Sequence, residues 1–212
     1  MAGNTDLFEI MQTMRAMRRL KPDPVPDELI GKILQAGTCA PSGGNAQRWR
    51  FLVLKDRKVK EAVAVWYKKA YDEIIGPRYS TVAPPPGVSP EKFKRQHEAV
   101  SYLTDHFADA PVWIVACLDA GANHNAAAGA SIYPAVQNMV LACRALGLGT
   151  TLTNRHMFYQ KEVDQALGLP EGVHSYAILP IGYPMGKFGP VKRAPLDAVV
   201  YQDRWGAPYR AA

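Results

Sequence analysis

The 212-residue chain is poor in cysteine. It has three, Cys39, Cys117 and Cys143, far apart and without a CxxC pair. An odd, scattered set makes no disulfide framework and is expected of reduced thiols in a cytoplasmic protein. Uninterrupted apolar runs of about 18 residues are also absent, so no membrane span is predicted. The opening MAGNTDLFEIMQTM carries acids early and lacks the basic n-region of a signal peptide, so none is expected. Metal-binding spacing is missing. The histidines, His97, His106, His124, His156 and His174, make no HExxH, and no metal is assigned to them. Ser42 lacks GxSxG flanks, and Gly129, Gly147 and Gly149 do not compose a Rossmann GxGxxG. A nicotinamide, if used, is then a passing substrate.

The charge balance is +6, from 25 Lys and Arg against 19 Asp and Glu. No run of five basic residues accompanies it, and no zinc-finger or RNP motif. Nucleic acid is therefore not the expected partner, and arginines gathered around a small anion fit better. Hydrophobic residues make up 48%, enough for a core without staples.

The periodicity of Leu7, Ile10, Met11, Met14 and Met17 predicts a helix over 6–19, stopped by Pro22, Pro24 and Pro26. A second helix is expected from Pro26 to Gly37, then a turn-rich loop feeding a strand at 49–54. Asp56 can cap a helix over 57–74. Gly76-Pro77 and the stretch 82–87 read as irregular, and Ser89-Pro90-Glu91 restarts a helix to about Phe107. Residues 68–95 thus look like a lid-like excursion. Continuous apolar runs at 112–118 and 176–181 read as buried strands. Residues 126–146 read as a buried small-residue helix containing Pro134, 150–153 as a short strand or loop, and 160–167 as an amphipathic helix. The tail from about 185 is too apolar for disorder and is expected to pack as an arm on its own core or on a partner. There are no repeats and no interdomain linker, so residues 1–212 are read as one domain.

Two clusters carry chemistry. In Arg15-Ala16-Met17-Arg18-Arg19, a helix would place the three arginines on one face, where mutual repulsion is relieved by an anion such as a phosphate monoester. Taken alone, the stretch reads more simply as arginines favouring a helix C-terminus and solvent. In Ala40-Pro41-Ser42-Gly43-Gly44-Asn45-Ala46-Gln47-Arg48-Trp49, two glycines allow positive φ and close backbone approach. Ser42, Asn45 and Gln47 supply donors and acceptors for the edge of a flat heterocycle. An ordinary helix-to-strand turn is the alternative.

Together, the arginine-rich segment, the proline break, a helix, and Ala-Pro-Ser-Gly-Gly-Asn-x-Gln-x-Trp resemble the N-terminal signature of the nitroreductase family of FMN enzymes. Arg48 stands where the family often has Pro, and Ala16 where it often has Ser, which removes one expected hydroxyl contact to the phosphate. Later segments are similar in the same order: His106–Pro111 before a strand, Leu146–Thr150 followed by Leu152-Thr153-Asn154, and Ile181-Gly182-Tyr183-Pro184 followed by Val191–Leu196. The resemblance covers about residues 10–200.

It implies an α+β fold, a mixed sheet flanked by helices, and an intertwined homodimer with each FMN held by both subunits. It implies NAD(P)H as donor and a nitroaromatic, quinone or related acceptor, in ping-pong order. The phosphate would be held by Arg15, Arg18, Arg19 and Arg193, with Ala16 and Met17 in the same segment. Pro41, Ser42, Gly43, Asn45 and Gln47 would line the ring and ribityl region. Leu152, Thr153 and Asn154 would face the ring, with a backbone N–H or the Thr153 hydroxyl near its redox edge. Trp66, Tyr67, Tyr71, Arg78 and Tyr79 would select the substrate by stacking or instead pack a helix face. The family includes flavin-cleaving and dehalogenating members. Neither Glu61, followed four places on by Val65, nor Glu73, followed by Pro77, opens the deiodinase pattern Glu-x-x-x-Tyr, so deiodination is not the expected activity. A non-catalytic flavin-binding protein is the remaining alternative.

Overall fold

The computed structural model describes residues 6–85, 87–119, 121 and 128–209. His124, Pro86 and the first two residues of the helix predicted at 126–146 lie outside that set.

Helix α1 spans Leu7–Thr13, with Asp6 accepting from the Glu9 N–H at 2.7 Å as its cap. Helix α2 spans Asp27–Thr38, with Asp27 and Glu28 in its first turn, where carboxylates favour the dipole. Strand β1 is Trp49–Leu54 and helix α3 is Arg57–Ala70, capped by the Asp56 carboxylate at the N–H groups of Lys58 and Val59. Helices α4 (Gly76–Thr81) and α5 (Pro90–Asp105) follow, then strand β2 (Val112–Asp119) and helix α6 (Gly129–Ala145), which contains Pro134. Strand β3 is Gly149–Thr150, helix α7 Gln160–Ala166 and strand β4 Val173–Gly182.

The sheet order is β1-β2-β4-β3, and all its pairings are antiparallel. The class is α+β as expected. The parallel pairing that a mixed sheet would need is not among these strands. Strand β2 is apolar on both faces because both are covered. Val112, Ile114, Ala116 and Leu118 face a core built from Ile30 and Ile33 of α2 and Ile132, Ala135, Val136 and Met139 of α6. Trp113, Val115 and Cys117 face a second core with Val63 and Tyr67 of α3, Leu103 of α5 and Val163 of α7. The period of two along the strand deals alternate side chains to the two cores.

Two expectations fail here. The helix predicted over 6–19 stops at Thr13, and Met14 is already extended at φ −68°, ψ 122°. The backbone beyond it bonds to the sheet edge instead of to itself. Met17 N–H donates to Thr150 at 2.9 Å, Lys21 N–H to Tyr183 at 2.8 Å, and Arg19 C=O accepts from Met185 at 3.0 Å. Arg15, Arg18 and Arg19 therefore do not share a helical face. Gly76-Pro77, read as irregular, is helical. A π-helical turn over Tyr71–Ile75 joins α3 to α4, and Gly76 N–H reaches back to Tyr71 C=O. Pro77 then falls in the first turn of α4, where its missing N–H leaves no gap. The excursion folds back on α5: Tyr71 Oη lies 3.0 Å from His97 Nε2, and Tyr79 stacks on His97 at 4.4 Å.

The arginine segment rests on Gly149. A Cβ there would stand 2.9 Å from Leu20 Cδ2, 3.0 Å from Met17 Cβ and 3.1 Å from Pro184 Cβ. Gly149→Val should destabilise the fold by about 1–3 kcal/mol through overpacking. Urea unfolding would show it as a lower midpoint at unchanged slope, and an unshifted midpoint would contradict the close packing.

Beyond β4 the tail meets α1 through Val191 N–H to Gln12 C=O at 2.9 Å. Phe188 lies under the Arg144 guanidinium at 4.4 Å. Farther on, Leu196, Val199 and Tyr209 are exposed, and Trp205 is 88% exposed. The arm extends from its own core and carries an uncovered apolar face.

Candidate functional site

After β3, Thr153 forms an antiparallel bridge with Ile178. Its N–H donates to Ile178 C=O at 3.1 Å, and its C=O accepts from Ile178 N–H at 2.8 Å. The N–H groups of Leu152 and Asn154 therefore lie on the side away from β4. A donor near a redox ring thus falls to these two rather than to Thr153 N–H, which is already used. The Thr153 hydroxyl lies 3.0 Å from Tyr67 Oη. Tyr67 is fully buried and stacks on Phe107 at 3.8 Å and 11°. Burial pushes its phenol pKa up, with Arg155 pulling the other way.

Arg155 belongs to the 3₁₀ turn Arg155–Tyr159. Its guanidinium lies 4.3 Å from the Tyr67 ring centroid and 5.1 Å from that of Tyr71, and donates to Thr104 Oγ1 at 2.6 Å. Nothing in the sequence singled it out, since a lone arginine after Thr-Asn has no periodic partner. Arg155, Arg18, Tyr79, Leu152, Thr153 and Asn154 line a cavity of about 200 Å³. Arg18 is half-buried. Burial lowers its pKa, Arg155 and Arg15 add to the drop, and Tyr79 and Tyr67 oppose it. Among the described residues, no acidic side chain lines this cavity. The structure thus brings Arg18, Tyr79 and the 152–154 loop together at one cavity.

Other predicted residues lie elsewhere in the chain. Met17 is buried behind the sheet edge, and Ala16 is half-buried. Arg15 is exposed, Arg19 lies over the Tyr102 ring at 4.8 Å, and the exposed Arg193 donates to Lys192 C=O at 3.0 Å. Convergence of all four arginines on one phosphate is not seen within one chain, because extended backbone sends successive side chains to opposite sides. Of the proposed substrate-stacking residues, Tyr71 reaches the site through Arg155. Trp66 instead packs on Tyr159 at 5.5 Å, with Lys69 above both rings. Arg78 is exposed, 6.0 Å from the Phe158 ring. Tyr67 is a core residue and cannot stack on a substrate.

The Pro41–Gln47 loop is a separate exposed surface, with only Ser42 half-buried. Gly43 N–H donates to Ser131 Oγ of α6 at 3.1 Å, and Gln47 N–H to Ser42 Oγ at 3.0 Å. Gln47 Nε2 donates to Asn45 Oδ1 at 3.1 Å. Of the two glycines, only Gly44 takes a positive φ, at 58°; Asn45 and Gln47 join it at 53° and 49°. Gly44 takes that conformation without cost, but Asn45 and Gln47 hold it as non-glycine residues, a strain that collects at ligand-holding loops. None of the described hydrogen bonds ties this loop to the Leu152–Asn154 segment.

Among the described residues no group of three His, Cys, Asp or Glu is placed to hold a metal. No described helix is long and apolar enough to cross a membrane.

Comparison with known proteins agrees with this architecture. The chain is 29% identical to an NADH dehydrogenase of Thermus thermophilus over 202 residues, covering 88% of this chain and 90% of the relative. It is 26% identical to an iodotyrosine deiodinase of Thermotoga neapolitana, covering 84% of this chain and 88% of the relative. Its fold matches that of a nitroreductase with bound FMN from Desulfitobacterium hafniense, with a TM-score of 0.71 at 20% identity, covering 94% of this chain and all of the other. The model of the Nitroreductase family matches residues 12–183. With this match over most of its length, the chain belongs to the nitroreductase family of oxidoreductases.

Proposed function

We propose that this protein is an FMN-dependent oxidoreductase that takes reducing equivalents from NAD(P)H and passes them to a nitroaromatic or quinone acceptor. Donor and acceptor would enter one pocket in turn. The observation that carries the reading is the pair Arg18 and Arg155, two guanidinium groups beside Thr153 in a cavity without an acidic residue. Such a site suits an electron-rich, anionic occupant.

The residues fit the cofactor on their own chemistry. Arg15, Arg18, Arg19 and Arg193 are the cations proposed for the phosphate, although only Arg18 of the four lines the cavity. The Pro41–Gln47 loop offers exposed Asn45 and Gln47 amides and an unobstructed backbone at Gly44, where an added Cβ would meet nothing within 4 Å. When bound, FMN would supply hydride acceptance from the nicotinamide and electron delivery to the acceptor. The chain would hold and orient it, and the outward N–H groups of Leu152 and Asn154 would stabilise negative charge developing beside them.

The arginine segment and the Pro41–Gln47 loop lie on separate surfaces of one chain, which is what a site shared between two protomers requires. We infer a homodimer, with the exposed arm residues Leu196, Val199 and Trp205 covered by the second copy. The chain would then be one FMN-binding unit with a lid over 68–95 and an exchanged arm, working in the cytoplasm.

Purification tests the whole reading. The protein should be yellow, and should oxidise NADPH faster when a quinone or nitroaromatic is added. A colourless protein that FMN cannot reconstitute would end the proposal. A yellow protein inert to NADPH would be a flavin-binding protein only. Arg193→Ala should weaken FMN binding about tenfold or more, as expected for losing a charge-assisted contact. Unchanged affinity would remove Arg193 from the phosphate site. Reductive dehalogenation is the second reading, raised by the deiodinase relative. Turnover of 3-iodotyrosine would favour it, although neither Glu61 nor Glu73 opens a Glu-x-x-x-Tyr.

A further inference from the structure

We infer that Arg155 makes the pocket selective for acceptors carrying an anionic group on the ring, such as a carboxylate. This refinement rests on the oxidoreductase reading above. Arg155 is held from three directions. Thr104 Oγ1 fixes one nitrogen at 2.6 Å, and the rings of Tyr67 and Tyr71 take the guanidinium at 4.3 and 5.1 Å. Tyr67 is itself locked by Phe107 at 3.8 Å and by the Thr153 hydroxyl at 3.0 Å. A guanidinium has five N–H donors in one plane. Thr104 uses one, and no other described residue accepts from the rest. The group is therefore preorganised, with donors left over, beside the segment expected to meet the reacting ring.

The electrostatics call for an anion. Three exposed cations of α3 each have acid partners: Arg57 with Glu61 and Asp109, Lys68 with Asp72 and Asp105, Lys69 with Glu73. The cavity is different. Arg155 and Arg18 both face it, and its lining includes neither Asp nor Glu. Two like charges in a partly desolvated space repel, and an anionic ligand turns that repulsion into attraction. The volume of about 200 Å³ suits a single-ring molecule. Phe158 and Tyr79 supply apolar walls, while the Arg155 plane offers the paired donors that a carboxylate accepts. The same cation could instead serve the phosphate of the flavin, so the test must separate the two sources.

Wild type, Arg155→Gln and Arg155→Lys would be compared as purified holoprotein. Calorimetry with benzoate and benzamide reads binding without turnover, and 4-nitrobenzoate against 4-nitrobenzamide reads KM. Wild type should prefer the anion about tenfold or more, Arg155→Gln should lose the preference, and Arg155→Lys should keep most of it. Equal affinity for benzoate and benzamide in wild type would overturn the inference. So would selectivity that survives in Arg155→Gln. Weaker FMN binding in Arg155→Gln with acceptor selectivity intact would assign the cation to the cofactor phosphate instead. A protein that binds benzoate selectively but never holds flavin would keep the anion subsite and reject the oxidoreductase reading.

Discussion

Replacing Trp113 by alanine should destabilise the protein by about 3–5 kcal/mol, the cost usual for deleting a fully buried large aromatic. Trp113 is the second residue of β2 and has no exposed surface, opposite Leu54 of β1 and Pro180 of β4. Its ring packs 4.2 Å from Phe107, which stacks on Tyr67, and its Nε1–H donates to Phe107 C=O at 3.1 Å. Alanine would leave a cavity and strand that carbonyl. Phenylalanine would fill much of the space but leave the carbonyl without its donor, costing about 1–3 kcal/mol. Because Tyr67 supports both Thr153 and Arg155, Trp113→Ala should also loosen the candidate site. Urea unfolding of the three proteins checks the order. A Trp113→Ala protein within about 1 kcal/mol of wild type would show that this layer is not a close-packed core.

Acid should weaken the fold through His156. The side chain is fully buried, and neither ring nitrogen has a hydrogen-bond partner among the described residues. Burial lowers its pKa from 6.5 to about 4, against weaker upward pulls from the Ser175 backbone and Asp164. The Asp164 carboxylate is occupied elsewhere, accepting from Ser175 N–H and Ser175 Oγ and bonded to His174 Nδ1. The folded ring thus binds its proton less readily than the unfolded one. Its contribution is whole above pH 6.5 and is lost as pH falls towards 4, because the unfolded state gains the proton first. The full span is worth about 3 kcal/mol. Stability measured from pH 7.5 to 4.5 should therefore fall more steeply in wild type than in His156→Gln, whose amide does not titrate. Parallel profiles would rule out His156 as the source. Asp164 and His174 remain in both proteins, so the comparison changes His156 alone. His156 directly follows Arg155, and its protonation should disturb the cavity before global unfolding.

Elements whose pattern is local were legible in the sequence. Asp56 and Ser89 cap the helices where side-chain chemistry placed them, and the apolar run of β2 was buried because its residue types admit no other stable location. The 152–154 segment and Arg18, both singled out in the sequence, line one cavity. The arginine helix was misread because Met14 to Lys21 has helical periodicity, while its N–H and C=O groups find partners at the edge formed by Thr150, Tyr183 and Met185. Periodicity records which side chains want burial and is silent about which backbone partner competes for them. Gly76-Pro77 was misread for a related reason, since a π turn shifts the hydrogen-bond register by one residue and lets proline enter the next helix without loss.

The sequence by itself determined the family, the α+β class and the types of residue available to the site. Only the tertiary structure decided which arginines face the cavity, that Tyr67 is a buried support and not a stacking platform, and that Arg155 is held between Thr104 and two aromatic rings. Those outcomes depend on contacts between residues far apart in the chain, 86 positions in the Tyr67–Thr153 bond, and no local pattern in a chain encodes such a distance.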